Sequence, residues 1–537
     1  MPLLSSLLNP IPGFPEYTGP YKVGTVDVEI PVSELPSNPK PEGAADIHTV
    51  LFRIFYPTVP EAHGKYITWL PAPQRLHIEA YAQFLGLGSK AASVLSFLPR
   101  HLHWTTVPAI KNAALLSPPV EHPGSRWPTM IFSHGLGGNR NAYSHLAGSL
   151  ASHGVVVICP EHRDQSAALT LIRDPHNPKK TTPFALPYLQ IPHNQTPEIW
   201  SKRNSQLGIR LWELDIIFEA ILAIDRNDHK VISSNLNTST PASTLSAFHD
   251  KLDILEPGKV IFAGHSFGSS TMVQFLKSVF YSSHPSLNDP ANRLFTPQPN
   301  SAIKSQINGH NPTILLDMWC FPLLSASTDA LYRLPLPCYS VPQQQQQASK
   351  ILAVESDQFF KWGSHLHRTA KILSSDPTAD VVASTTDHHP KPYLFYVEKS
   401  AHLSQSDFAV LFPWLTKKAF GSETPDKVLS LNTRAVVQFL RVNQVEVGES
   451  KVEGERGDVL GQGVGTEVEK WRWVDVVGMG GKAYPSELEM MKEERGREEV
   501  ERARREEKGM EEEMEPGAGV GEGGEVRESG VTGGERL

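Results

Sequence analysis

A serine hydroxyl becomes a useful nucleophile only when a histidine takes its proton, and that histidine needs an acid to fix its tautomer. The chain offers such a serine in Gly264-His265-Ser266-Phe267-Gly268. The apolar run Val260-Ile261-Phe262-Ala263 precedes it, and a helix-compatible segment, Ser269 to Phe280, follows. Strand, Gly-x-Ser-x-Gly and helix in that order are the context of a nucleophile elbow. The two glycines lack a Cβ and let neighbouring backbone approach, while the tight turn lifts Ser266 Oγ to the end of the sheet.

In this arrangement the acid and then the base follow the serine along the chain. Between Ser266 and His402 stand Asp289, Asp317, Asp329, Asp357, Asp376, Asp380 and Asp387. Asp317 alone directly follows an apolar strand, Thr313-Ile314-Leu315-Leu316, where a triad acid must project. Asp387 and His388 stand in a polar loop and read as solvent-facing. Among 22 histidines, His402 follows a late strand, Tyr393 to Val397, by one short turn. Upstream, Thr129-Met130-Ile131-Phe132 runs into Ser133-His134-Gly135-Leu136-Gly137-Gly138. That loop has neither the Lys-Ser/Thr of a phosphate-binding loop nor dinucleotide spacing, and suits a donor of an oxyanion-hole N–H.

These residues need strands that end together. Val50 to Pro57, Gly154 to Pro160, Ile351 to Ser356 and the strands above read as strands. Arg203 to Asp225 and Val428 to Val442 carry helical spacing. The alternation predicts an α/β fold, a mostly parallel, doubly wound sheet with flanking helices. Ser233 to Ser246 and His284 to Pro312 read as loops, and Gln343 to Gln347 as a mobile surface loop. The cluster Glu161-His162-Arg163-Asp164-Gln165-Ser166 lies at a strand end, and its charges read as structural pairs around the site. The stretch from Leu85 to Trp104 reads as core helix by pattern alone, or as a lipid-docking surface with apolar residues beside basic ones.

At 537 residues with 39% apolar and 20% charged content, the chain is long enough for a large core. A net charge of −8 and no basic stripe argue against nucleic acid. Three cysteines, Cys159, Cys320 and Cys338, form neither a disulfide framework nor a metal-ligand spacing. The first ten residues lack a basic stretch and are interrupted by Pro10, so no signal peptide is expected and the reading is cytoplasmic. Beyond residue 447 Gly, Glu, Lys and Arg dominate. The expected organisation is therefore a catalytic domain over 1–447 and a charged, low-complexity tail over 448–537, with Met491 to Glu515 a solvated charged stretch.

Several blocks together resemble the platelet-activating-factor acetylhydrolases of the plasma and intracellular type II kind. They are Gly19-Pro20-Tyr21-Lys22-Val23-Gly24, Ile131 to Gly137 with Arg140 and Tyr143-Ser144, Glu161 to Ala167, Gly264 to Gly268, Asp317 to Leu323, and Ser400-Ala401-His402 through Asp407-Phe408. The resemblance implies an α/β-hydrolase with Ser266 as nucleophile, Asp317 as orienting acid and His402 as general base. It also implies the Leu136 and Phe267 N–H groups as the oxyanion hole. Family members are calcium-independent, so neither metal nor cofactor is expected. They cleave the acetyl or short or oxidised sn-2 acyl chain of phospholipids at lipid surfaces, which favours residues 85–104 as a peripheral membrane contact. The chain departs from the pattern in the long interval from Ser266 to Asp317, in Ser269 where glycine is common, and in the Gln run and tail. A general short-chain carboxylesterase and a non-catalytic hydrolase-like scaffold are the alternatives.

Overall fold

The computed structural model describes residues 13–96, 100–120, 122–177, 183–379, 389–461 and 468–474. Val260-Ile261-Phe262-Ala263 shows why a sheet forms: successive side chains point to opposite faces, and each face meets its own core. Val260 and Phe262 join one apolar cluster, Ile261 and Ala263 the other. Both faces are covered, so the strand is fully buried.

The strands, in chain order, are β1 (Lys22–Pro31), β2 (Thr49–Thr58), β3 (Tyr66–Thr68), β4 (Thr106–Lys111), β5 (Trp127–Ser133), β6 (Val156–Pro160), β7 (Leu169–Ile172), β8 (Phe184–Pro187), β9 (Leu252–Asp253), β10 (Ile261–His265), β11 (Thr313–Leu316), β12 (Ile351–Ser356), β13 (Tyr393–Val397) and β14 (Trp471–Trp473). The main sheet runs β14-β13-β12-β11-β10-β5-β6-β2-β1-β4-β3, with β9 beside β5 and a separate β7-β8 hairpin. From β6 through β13 neighbouring strands are parallel, while β1, β2 and β6 pair antiparallel in series. Five helices matter to the site: α1 (Gln74–Phe84), α2 (Ser144–Ser152), α3 (Pro197–Asp225), α4 (Phe267–Phe280) and α5 (Pro425–Val442). α3 and α4 pack on one face, α2 and α5 on the other. This is the mostly parallel α/β-hydrolase sheet that the sequence predicts.

Several boundaries differ from expectation. α3 starts at Pro197, because Thr196 caps it through Oγ1 and Pro197 fits the first turn. The expected loops at 233–246 and 284–312 contain short helical turns, and Asn235 and Asn237 bind the β1 backbone. The Gln run is tied down: Gln346 Nε2 donates to Cys338 O, and Gln347 Oε1 accepts from Gln444 Nε2 at 3.0 Å.

The boundary at 447/448 needs correction. β14 extends the sheet antiparallel to β13, and Val459, Leu460 and Trp471 are buried in the core. Trp471 stacks on Phe395 at 4.9 Å, while Arg472 faces solvent and pairs with Glu398. Period-two alternation in Trp-Arg-Trp carries the strand through a stretch whose composition is charged. The described core thus continues past residue 447 as far as Val474. The charged stretch 491–515 and the Asp387-His388 loop lie outside the described residues. No helix among the described residues is long and apolar enough to cross a membrane.

Candidate active site

Ser266 has the backbone expected of an elbow, φ 57° and ψ −120°, a region L-residues avoid without compensation. The compensation is close packing. A Cβ on Gly268 would lie 2.0 Å from Ser133 O, and one on Gly264 would lie 2.4 Å from Gly268 C, so only glycine lets β10, α4 and β5 meet there. Ser269, where the resemblance leads one to expect glycine, places its hydroxyl 2.7 Å from Gly264 O and 3.0 Å from Leu316 O. It thereby links the elbow strand to the strand that presents Asp317.

Asp317 also has positive φ, 39°, and is completely buried. Its Oδ1 accepts the Ser356 N–H, and its Oδ2 lies 2.9 Å from His402 Nδ1. The His402 ring is sandwiched by Phe359, stacked at 4.4 Å and 5°, and by His265 at 4.4 Å. Its side chain remains 25% exposed, so the imidazole is oriented from behind and open in front. Ser266 is 6% exposed, and its hydroxyl has no hydrogen-bond partner among the described residues. Catalytic hydrogen bonds commonly tighten only when substrate binds.

The loop after β5 lies directly on the elbow, since a Cβ on Gly135 would sit 2.9 Å from Ser266 Cβ. Neither the Leu136 N–H nor the Phe267 N–H has an acceptor among the described residues. Among the described residues, two donors without an acceptor thus lie near the serine, one on the residue after it and one on the loop packed against it. Gly137, with φ 70°, packs under Phe84 of α1, and Asn139 Nδ2 donates to Tyr81 OH on the same helix. α1 therefore covers this loop.

Behind the loop lies a sealed polar network that sequence reasoning anticipated only as charge pairing. Arg210 of α3 is fully buried. It donates from Nε to Asp164 Oδ2 at 2.7 Å and from Nη1 to His134 O at 2.8 Å, with its guanidinium 4.2 Å from the Phe267 ring centre. One cation thus braces both segments that carry the free N–H groups. Arg140 pairs with Glu161 and Asp27, and Arg163 with Glu29 at 2.9 Å. Asp27 is held far below the usual carboxylate range by Arg53 and Arg140 against the opposing cost of burial.

A second Ser-His-acid succession lies inside. Ser133 Oγ is 2.8 Å from His162 Nε2, and His162 Nδ1 is 2.9 Å from Glu213 Oε2. All three are buried, with exposures of 0–1%, so this set supports the loop and meets no substrate. Burial, aided by the Asp164 charge, pushes the Glu213 carboxyl up to about 8, while burial and Arg210 hold His162 well below the usual imidazole range. Both shifts favour the neutral form of each partner. Glu355, missed in the sequence, is buried beside Asp317; burial and that neighbour raise its pKa well above the carboxylate range. Among the described residues, donor atoms of His265, Asp317 and His402 come within 4.8 Å of one another, the only such His/Cys/Asp/Glu group. Two of them already hydrogen-bond each other.

Residues 85–104 divide in the structure. Ala92 and Leu102 are buried, whereas Leu85, Leu87 and Trp104 are 54%, 40% and 63% exposed. Residues 97–99 lie outside the described part.

A parallel-centred sheet, a serine in a strained turn at one strand end, and a histidine held by an acid from later strand ends together define an α/β-hydrolase. Residues 8–466 match the family model described as platelet-activating factor acetylhydrolase, isoform II, and the chain belongs to that family. It is therefore a carboxylic ester hydrolase. The chain is 28% identical over 450 residues to a Schizosaccharomyces pombe protein described as "Putative phospholipase A2", a match covering 80% of this chain and 92% of that one. It is 27% identical over 296 residues to a Canis lupus familiaris platelet-activating factor acetylhydrolase, covering 55% of each. Among solved structures, a ferulic acid esterase from Streptomyces cinnamoneus aligns over 86% of this chain and 99% of its own, with 12% identity and a TM-score of 0.46.

Proposed function

We propose that the chain is a calcium-independent serine hydrolase that removes an acetyl or short or oxidised sn-2 acyl chain from phospholipids. In this reading Ser266 attacks the ester carbonyl and His402 Nε2 accepts its proton, while Asp317 fixes the tautomer through Nδ1. The Leu136 and Phe267 N–H groups receive the oxyanion. His402 then returns the proton to the leaving lysophospholipid alcohol and activates water to release the acyl group. Each oxyanion donor is worth roughly 3–4 kcal/mol in comparable sites.

The observation that carries this reading is the 2.9 Å His402–Asp317 contact beside a serine near two N–H groups that have no acceptor among the described residues. Family membership supports the phospholipid, and the exposed Leu85, Leu87 and Trp104 support a peripheral lipid contact. The test is an acyl-length series of defined phosphatidylcholines alongside a small aryl ester, with and without chelator. Acetyl and short sn-2 chains should be cleaved fastest, unaffected by chelator. Turnover of the aryl ester alone would leave a general carboxylesterase, and loss with chelator would contradict calcium independence.

A further inference from the structure

The peptide that carries the Leu136 N–H is gripped at its other end. Gly135 O accepts from the Gly138 N–H at 3.2 Å, and His134 Nδ1 lies 2.8 Å from the same oxygen. The other ring nitrogen, Nε2, lies 3.1 Å from the His162 backbone nitrogen. A backbone N–H only donates, so Nε2 is the unprotonated acceptor; a carbonyl only accepts, so Nδ1 carries the proton. Burial and then the facing Arg210 push the His134 pKa down to about 4, which keeps the ring neutral. Asp164 and Glu161 also face it and oppose that shift.

Three further groups of this segment are also held. Gly135 N–H donates to Tyr143 OH at 3.1 Å, and Tyr143 OH lies 2.7 Å from His265 Nδ1. His134 O accepts from Arg210, and Gly137 N–H donates to Ser166 O at 2.7 Å. Because a peptide unit is planar, holding the Gly135 carbonyl fixes the direction of the Leu136 N–H. A donor on that carbonyl also polarises the unit and strengthens its N–H as a donor.

We propose that His134 is a positioning residue for the oxyanion hole: its Nδ1–H, donated to Gly135 O, aims the Leu136 N–H at the carbonyl oxygen of the bound ester. His134 touches no substrate and acts through Leu136, so the inference rests on the role proposed for Leu136. A histidine that merely fills the core predicts an effect on folding alone. A positioning histidine predicts an effect on kcat at unchanged KM.

The test compares His134→Asn, His134→Gln and His134→Ala in the full chain, with kcat, KM and thermal midpoint measured for each. Asparagine Nδ2 stands one bond from Cγ, as His134 Nδ1 does, and restores the donor to Gly135 O; the glutamine amide lies one bond further out. The expected result is a kcat lowered about 10- to 100-fold in the Ala and Gln variants, with KM within about twofold, and recovery to within about fivefold in Asn. Affinity for a trifluoromethyl ketone, which binds serine hydrolases as an oxyanion, should fall in parallel with kcat. Equal kcat in the Asn and Gln variants, or a change confined to KM, overturns the proposal. Should the Ala variant not fold, the Asn–Gln pair decides alone. Ser266→Ala is run beside them: if it retains turnover, the proposed function fails, whereas an inactive Ser266→Ala with equal Asn and Gln variants sinks only the role of His134.

Discussion

Replacing Asp317 by asparagine changes one atom and one charge, and the structure dictates how the amide must sit. Oδ1 accepts the Ser356 N–H, and this backbone donor cannot turn round. The asparagine oxygen therefore stays on Ser356, and its NH2 is directed at His402 Nδ1, 2.9 Å from the present Oδ2. His402 must then accept at Nδ1 and carry its proton on Nε2, the nitrogen that should receive the serine proton. Wrong-tautomer substitutions of this kind in serine hydrolases cost about 10⁴ in kcat, which is roughly 5 kcal/mol of transition-state stabilisation at 1.36 kcal/mol per decade. Phe359 and His265 still sandwich the ring, so its position and the KM should hold. The assay is kcat and KM on a short-chain ester, with far-UV circular dichroism to verify folding. A kcat within tenfold of the unsubstituted protein would refute the assignment of Asp317 as the residue that fixes His402.

Other substitutions probe the support of the site. Arg210→Met leaves the fully buried Asp164 without its charge partner, and should cost about 3–5 kcal/mol in denaturant unfolding, partly recovered by adding Asp164→Asn. Gly268→Ala sets a Cβ 2.0 Å from Ser133 O, backbone against backbone, and should cost about 3 kcal/mol and most of the activity; a stable, active variant would contradict the elbow packing. Glu355 titrates with a raised pKa in the folded state, so folding takes up a proton and stability falls as pH rises from about 4.3, the unfolded value, through the folded one. Glu355→Gln removes that slope: its thermal midpoint relative to the unsubstituted protein should rise between pH 5 and pH 8, with activity retained. A constant difference would show that Glu355 is ionised.

Local patterns made part of this molecule legible. A run of apolar residues ending in Gly-x-Ser-x-Gly, an acid immediately after a strand and a histidine one turn after another depend only on sequence neighbours. The sheet then brings Asp317 and His402 to hydrogen-bonding distance across a sequence separation of 85. What supports them was hidden because it is long-range. Arg210 reaches His134 from 76 positions away, and Glu213 reaches His162 from 51. Nothing in helix α3 distinguishes Arg210 from a solvated arginine except that its whole circumference is apolar enough to be buried. Tyr143 stood out only as part of a resembling block, with nothing to show that its hydroxyl meets Gly135 N and His265, and Glu355 carried no motif of its own. β14 was obscured for the opposite reason: Trp471 and Trp473 alternate with Arg472, a strand signal, yet charged flanks dominated the composition of the window.

The account stands on Ser266 forming the bond to the acyl group. Its most direct test is intact-mass and peptide-level analysis of the protein after brief exposure to a fluorophosphonate, with Ser266→Ala as control. One phosphonyl group, on the peptide containing Ser266, with complete loss of ester hydrolysis and no labelling of the Ser266→Ala chain, is the predicted result. Labelling at another serine with activity lost in step, or undiminished hydrolysis by the Ser266→Ala chain, would contradict it.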